Sequence, residues 1–411
     1  MMKRYDTYKD SGVQWLGEIP GHGGCVFINR LFNIKAGGDV KPELYADKKD
    51  ENHPFPVYTN TKSADDVYAY TSLATCPSNS ITVTGRGEVG HAIFRETPYD
   101  AIVRLLSLTP KSNIICKFYA YFIDTVIPFS SDSAAIGQLS AVQIKQKHVT
   151  LPPLSEQRSI VSFLDAKCGK IDEWVTKKQK EVEHLQELKQ RVIADAVTRG
   201  LNPHVKMKAT NIPWLKEIPE HWECVKLKMF CQDNKEKNKG NIESCVLSLS
   251  YGNIIVKKNV NFGLVPENYD SYQIVNPGNI ILRLTDLQND HKSLRTGLVK
   301  NRGIITSAYV GLIVKNMNSE YTQLILHSYD VMKVFYGMGG GLRQSMSYTD
   351  IANVYIPVPP LSEQKQIVSY LDTKTSQIDK LIAHITKEIE CIKEYKQRLI
   401  SEVVTGQIKV C

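Results

Sequence analysis

A long internal repeat constrains this chain more than any other feature. The stretch LPPLSEQRSIVSFLDAKCGKIDEWV, beginning at Leu151, returns as VPPLSEQKQIVSYLDTKTSQIDKLI at Val358, an offset of 207 residues. The register then holds without a gap. It pairs Leu154 with Leu361, Glu156 with Glu363, Asp165 with Asp372, Asp172 with Asp379, Glu181 with Glu388, Lys189 with Lys396 and Arg191 with Arg398. A shorter repeat precedes each copy: WLGEIP at Trp15–Pro20 recurs as WLKEIP at Trp214–Pro219, an offset of 199. At 411 residues the chain is too long for one ordinary domain. The repeats divide it into two tandem modules, each a variable segment of about 140 residues followed by a helical segment.

In each long repeat a Pro-Pro pair cannot lie inside a helix, and Ser155 or Ser362 just after it is the expected N-cap, with Glu beside the positive helix end. From Leu164, alternating steps of four and three pick out Cys168, Ile171, Val175, Lys178, Val182, Leu185, Lys189, Val192 and Ala196. The second copy gives Leu371, Thr375, Ile378, Ile382, Ile385, Ile389, Ile392, Lys396, Leu399 and Val403. This is a coiled-coil seam, and its apolar stripe needs a partner helix. Both stripes belong to one chain, so pairing with each other buries both. An antiparallel pair is expected, because it relates the two modules by a pseudo-two-fold axis of the kind DNA half-sites present. A helix of about 40 residues reaches roughly 60 Å, enough to space two DNA readers. Lys189 and Lys396, polar groups within the seam, are candidates to fix its register, and Gly200 and Gly406 are expected C-caps.

The variable segments carry short apolar runs bounded by turn residues, among them Ser80–Thr84, Ile102–Leu105, Asn279–Leu282 and Ala308–Val314. These predict mixed α/β domains with a curved, mostly antiparallel sheet. Candidate nucleic-acid contacts follow from side chains that match base edges and phosphates. In the first segment they are Thr59, Asn60 and Lys62 in a polar loop, and Arg86 in the turn Gly85-Arg86-Gly87. In the second they are Lys257, Lys258, Arg283, Thr285, Arg295 and Arg302. A glycine-rich stretch there, Gly339 to Gly341, leads into Arg343, Gln344 and Ser345 and would let backbone amides approach phosphate.

The motifs that would indicate catalysis by this chain are missing or misplaced. Gly85 to Gly90 matches GxGxxG, but the following His91-Ala92-Ile93-Phe94 reads as a strand, so the glycines predict a hairpin turn. Glu187-Leu188-Lys189 and Glu394-Tyr395-Lys396 resemble a fragment of a nuclease site but fall mid-helix, as coiled-coil surface charge. The sequence holds no P-loop, no NPPY-type tetrapeptide, no GxSxG and no HExxH. Nine Cys without a CxxC pair predict reduced thiols rather than a disulfide framework or a clustered zinc site. A net charge of +8 suits a polyanionic partner without demanding one. The N-terminus lacks the apolar core of a signal peptide and no apolar run approaches membrane-spanning length, so a cytoplasmic location is expected.

PPLSEQ twice, each followed by an ID-containing helix that ends near KQR and VTRG or VTG, together with the W-x-x-EIP openers, resembles the specificity subunit of Type I restriction-modification systems. The resemblance covers nearly the whole chain and includes NPGNIILRLTD and GLRQSMSYTDIANVYIPVPPLSEQ in the second segment. It implies an α+β architecture: target-recognition domains at 1–154 and 213–361, spacer helices at 155–200 and 362–406 forming an antiparallel coiled coil, a linker at 201–212 and a tail at 407–411. It also implies a bipartite double-stranded DNA site with one half per domain, and two methyltransferase subunits docked on the scaffold with restriction and translocase subunits joining them. The chain itself is expected to bind no cofactor, with S-adenosylmethionine, ATP and Mg used by its partners, in a bacterial or archaeal cytoplasm beside the nucleoid. Related expectations are a methylation-only or type IIB-like system, or a coiled-coil scaffold without a DNA role. The first opener continues His22-Gly23 where the second continues His221-Trp222, which predicts a weaker anchor in the first domain.

Overall fold

The computed structural model describes residues 3–129, 138–257, 268–287, 289, 294–338 and 345–410. The chain forms two compact units, Met1–Gln179 with Lys387–Cys411 and Lys180–Thr386, so that each long repeat contributes to both.

The repeats fold into two long helices, Leu154–Arg199 and Leu361–Val404. Each starts one residue before the expected serine cap. The carbonyls of Pro153 and Pro360 accept from the amides of Gln157 and Gln364 at 3.0 Å, so proline takes the capping place and serine falls within the first turn. Proline suits a helix entrance because it has no amide to leave unpaired. Gly200 and Gly406 follow the helices at φ +76°, the left-handed conformation in which glycine ends a helix without a Cβ penalty.

Every seam residue named from the sequence is buried or half-buried. In the first unit Asp172 meets Lys396 at 2.6 Å and Lys178 lies 3.9 Å from Glu388, so the partner number falls as the helix advances. In the second unit Lys189 meets Asp379 at 2.7 Å, while Ile193, Ala196 and Val197 share a core with Ile367, Val368 and Leu371. The helical segments are therefore antiparallel within each unit, and Lys189 and Lys396 close onto repeat-related aspartates.

One frame is built twice. In the first unit a sheet orders strands Phe32–Ala36, Leu106–Pro110, Ser80–Val83 and Ala92–Arg95, with helix Cys116–Val126 packed on it. In the second, Cys231–Asp233, Val310–Val314, Ile280–Leu282 and Thr296–Leu298 take the same order, and helix Ser319–Val331 packs on Thr296–Leu298. These pairings are antiparallel, as alternating apolar runs with short turns predict. Gly24–Phe27 pairs with His148–Leu151 just before the first long helix, and Glu223–Lys226 with Tyr355–Val358 just before the second.

Around this shared frame the units differ. The first adds a sheet of Asp100–Ala101, Phe55–Tyr58, Ala69–Thr71 and Tyr45–Ala46, with a parallel pairing between its first two strands. The second adds a hairpin of Leu247–Ser250 and Asn253–Val256. Within the expected linker, 201–212, Met207–Ile212 pairs with Leu215–Pro219, because the W-x-x-EIP opener offers that strand an edge. The expected tail is likewise tied down, with the Lys409 amide donating to the Lys3 carbonyl at 2.8 Å and the Gln407 side chain to the Glu18 carbonyl at 2.7 Å.

Candidate nucleic-acid interface

The PPLSEQ glutamates and glutamines mount each long helix on its frame. The Gln157 side chain, 2% exposed, accepts from the Ile115 amide at 3.0 Å and donates to the Pro152 carbonyl at 2.9 Å. Gln364, also 2% exposed, repeats both contacts with the Asn318 amide and the Pro359 carbonyl at 2.9 Å each. Glu363 accepts from Trp222 Nε1 at 3.0 Å and meets His221 at 2.9 Å. Glu156 meets His22 at 2.8 Å and accepts a hydrogen bond from the Tyr5 hydroxyl. The aromatic expected to be lost from the first unit is thus replaced by Tyr5, which lies before the first strand, Tyr8–Asp10. Glu156, Gln157 and His22 carried a signal in the sequence, because Glu363, Gln364 and His221 repeat them, whereas Tyr5 has no such counterpart.

In the first unit the structure brings together all four residues singled out there. Asn60 Oδ1 accepts from the amides of Gly85 at 2.7 Å and Arg86 at 3.2 Å, and its Nδ2 donates to the Val103 carbonyl at 2.8 Å. Asn60 therefore acts as a clamp behind the loop surface, with its amide group committed to the fold. Gly85 must lack a side chain, since a Cβ there would lie 2.6 Å from the Arg104 carbonyl oxygen. The turn it meets is strained: Val103 and Arg104 stand at φ 55° and 63°, and a β-branched residue in that region is an outlier that tertiary contacts must enforce. Arg86 and Arg104 are both exposed on this surface, with Thr59 half-buried beside them. The sequence places Arg104 in an expected strand, Ile102–Leu105, and not among the contacts; the run turns instead, and nothing local shows that its backbone goes left-handed there.

Lys62 is exposed and pairs with the exposed Glu88. Its carbonyl lies 2.9 Å from His91 Nε2, while His91 Nδ1 lies 2.5 Å from Asp124 Oδ1 on the crossing helix. A carbonyl only accepts and a carboxylate only accepts, so both ring nitrogens donate and the imidazolium is favoured. The Asp124 carboxylate accordingly lifts the His91 pKa above its ordinary value. Arg95, buried over the Tyr58 ring at 3.5 Å, donates to the Ala64 carbonyl at 2.8 Å and holds the base of the same loop.

In the second unit Arg295 leaves the list of surface candidates. It is 0% exposed, and its guanidinium donates to the carbonyls of Arg283 at 3.0 Å, Thr285 at 2.8 Å and Asp286 at 3.3 Å, and to the Tyr336 hydroxyl at 3.0 Å. A planar fork with five donors can satisfy an entire turn, and the turn with Asp286 at φ 58° needs it. Arg295 is thus the clamp that positions half-buried Arg283 and Thr285. Ser345 is exposed beside this turn, which the Met346 amide joins through the Leu284 carbonyl at 2.9 Å. Lys257 and Arg302 are exposed on the flanks of the 243–246 segment, where Arg302 donates to Glu243 at 3.2 Å and to Asn276 at 2.8 Å. Lys258, Arg343 and Gln344 lie outside the described residues.

With this geometry in place, comparison with known proteins gives a consistent result. Residues 26–184 and 219–391 match the family model for the type I restriction modification DNA specificity domain. Among curated relatives, a Methanocaldococcus jannaschii protein described as the MjaX specificity subunit of a type I restriction enzyme is 27% identical over 326 residues, 75% of this chain and 72% of that one. The type I restriction enzyme MjaVIII specificity subunit of the same organism is 25% identical over 327 residues, covering 74% and 73% respectively. Among solved structures, a chain from work on complex assembly and conformational transition of the type I R-M system aligns with a TM-score of 0.68 at 13% identity, over 94% of this chain and 98% of that one, a likeness of fold.

Proposed function

Since this chain belongs to the type I restriction modification DNA specificity family, we propose that it is the DNA-reading subunit of a type I restriction-modification complex and that its two units each read one half of a bipartite duplex site. The observation that carries this reading is the duplication itself. Two units share sheet order, helix mounting and strand pairing, yet present different side chains on their loops. A selection for two different half-sites on one backbone frame would leave that pattern. The first unit's readers are Thr59, Lys62 and Arg86 on the Asn60 clamp, and the second unit's are Arg283, Thr285 and Ser345 on the Arg295 clamp, with Lys257 and Arg302 as phosphate contacts.

The paired helices keep the half-sites at a fixed spacing, and two methyltransferase subunits dock on the chain. Restriction and translocase subunits join them. S-adenosylmethionine, ATP and Mg serve those partners, and this chain supplies address rather than chemistry. Among the described residues no helix is long and apolar enough to cross a membrane; the place of work proposed from the DNA-reading role is the cytoplasm, beside the nucleoid.

The test is a map of N6-methyladenine in DNA from a host expressing this chain with its methyltransferase partner. A split motif with a spacer of constant length is expected. Exchange of residues 201–361 for those of another family member should change one half alone, and a change in both halves, or in neither, would overturn the assignment.

A further inference from the structure

The second unit carries an exposed feature that its own folding does not explain. Its added hairpin turns at Tyr251-Gly252, with φ 46° and 78°. Two successive left-handed residues make the tight hairpin turn that matches strand twist, and its first place strongly favours Asn, Asp or Gly. Tyrosine there is strained in its backbone, and its ring recovers nothing from the core, since Tyr251 is 86% exposed. Ile255 and Val256 on the returning strand are each 47% exposed.

The hairpin is nevertheless fixed in place. A Cβ on Gly297 would fall 2.7 Å from Leu249 and 2.9 Å from Ile254, so the hairpin lies directly over strand Thr296–Leu298. At its tip, a Cβ on Gly252 would lie 3.3 Å from the Leu294 side chain and 3.6 Å from the Thr296 carbonyl. The tip therefore stands beside Arg295, whose guanidinium holds the Arg283–Asp286 turn. Lys257 follows the hairpin's last strand residue and is exposed. A two-stranded ribbon with an aromatic tip on the Arg283 side and Lys257 at its base is shaped and charged for one occupant, a duplex groove.

We infer that the 247–256 hairpin enters the major groove of the half-site read by the second unit, with the Tyr251 ring packed on base edges. The inference rests on the DNA-reading assignment and adds to it a specificity residue and the groove it uses. The major groove is about 12 Å wide and admits a two-stranded β-ribbon, and an aromatic ring there contacts base edges and the thymine methyl group.

The experiment selects the full chain, wild type and Tyr251→Asn, on a pool of randomised duplexes followed by sequencing of the bound fraction. Asparagine tolerates the left-handed turn, so the hairpin is retained. Wild type should enrich a split motif. Tyr251→Asn should lose sequence preference at one or two adjacent positions of one half, with a drop of about tenfold for the wild-type motif, the other half unchanged. Uracil in place of thymine at those positions should weaken wild type and leave the variant unaffected. Identical motifs from the two proteins overturn the inference while leaving the DNA-reading assignment intact, as does a uniform loss across both halves accompanied by a lower melting temperature. No enrichment by wild type overturns the assignment itself and this inference with it.

Discussion

Where the second unit closes its long helix over Trp222, fully buried with its indole N–H on Glu363, the first uses half-buried Tyr5 with its hydroxyl on Glu156. The two glutamates are repeat-related, and each unit also sets a histidine, His22 or His221, against its glutamate. The frame therefore fixes an acceptor at the helix start and leaves the chain free to reach it with different aromatics. The same holds at the loops: a neutral clamp, Asn60, organises the first turn, and a buried cation, Arg295, the second. Positions that hold the frame keep their partners, and positions that face outward diverge, which is the division of labour expected of two readers on one scaffold.

The largest test of this contrast is at the anchors. Trp222→Ala should destabilise the second unit by about 3–5 kcal/mol, as for large aromatic truncations in a core, whereas Tyr5→Ala should cost the first about 1–2 kcal/mol. Denaturant unfolding with a probe in each unit measures both, and equal losses would erase the distinction. Next come the clamps. Arg295→Met strands three turn carbonyls and should lower stability by about 2–3 kcal/mol as well as DNA affinity. Arg86→Ala should change stability by less than about 0.5 kcal/mol while lowering affinity, so a thermal melt beside a binding titration separates support from reading.

A smaller effect is pH-dependent and confined to one unit. Because Asp124 raises the His91 pKa, the pair's contribution is fully present below the ordinary histidine value of about 6.5 and is lost as pH rises through the raised value. Amides of residues 84–92 should lose hydrogen-exchange protection on going from about pH 6 to about pH 9, after correction for intrinsic exchange rates. The Arg295-held turn should not, and Asp124→Asn should abolish the difference. Smallest are the seam pairs. Lys189→Asp should cost under about 1 kcal/mol, as partly exposed pairs do, and Asp379→Lys in the same chain should restore most of it, with Lys396 and Asp172 behaving alike in the first unit.

Much of this was legible from residues alone, and the reasons are local or repetitive. Covalent order is enough to reveal a duplication, a four-three apolar spacing is enough to specify paired helices, and glycine after the last seam residue is enough to end them. Pairing of the two helices also followed, because one chain must bury both stripes, and the antiparallel sense followed from the pseudo-two-fold relation expected of two DNA-reading modules. The expected serine caps fall two residues late, because the helices begin directly after Pro153 and Pro360, whose carbonyls accept the first helical hydrogen bonds and which have no amide of their own to leave unpaired.

What only the tertiary structure decided is the fate of individual polar groups. Arg295 and Arg302 look alike in sequence, yet one is enclosed by carbonyls and the other lies open beside Glu243, because burial is set by elements distant along the chain. Tyr5 became the first unit's anchor only once the fold brought it to Glu156 in the long helix, 151 residues away along the chain. Arg104 and Tyr251 gained their exposed, left-handed positions from turns whose geometry is imposed by packing rather than by residue preference. Periodicity and repetition are properties of the chain and can be read along it; the partners of a charge or a ring are properties of the fold, because they come from contacts between residues far apart in sequence.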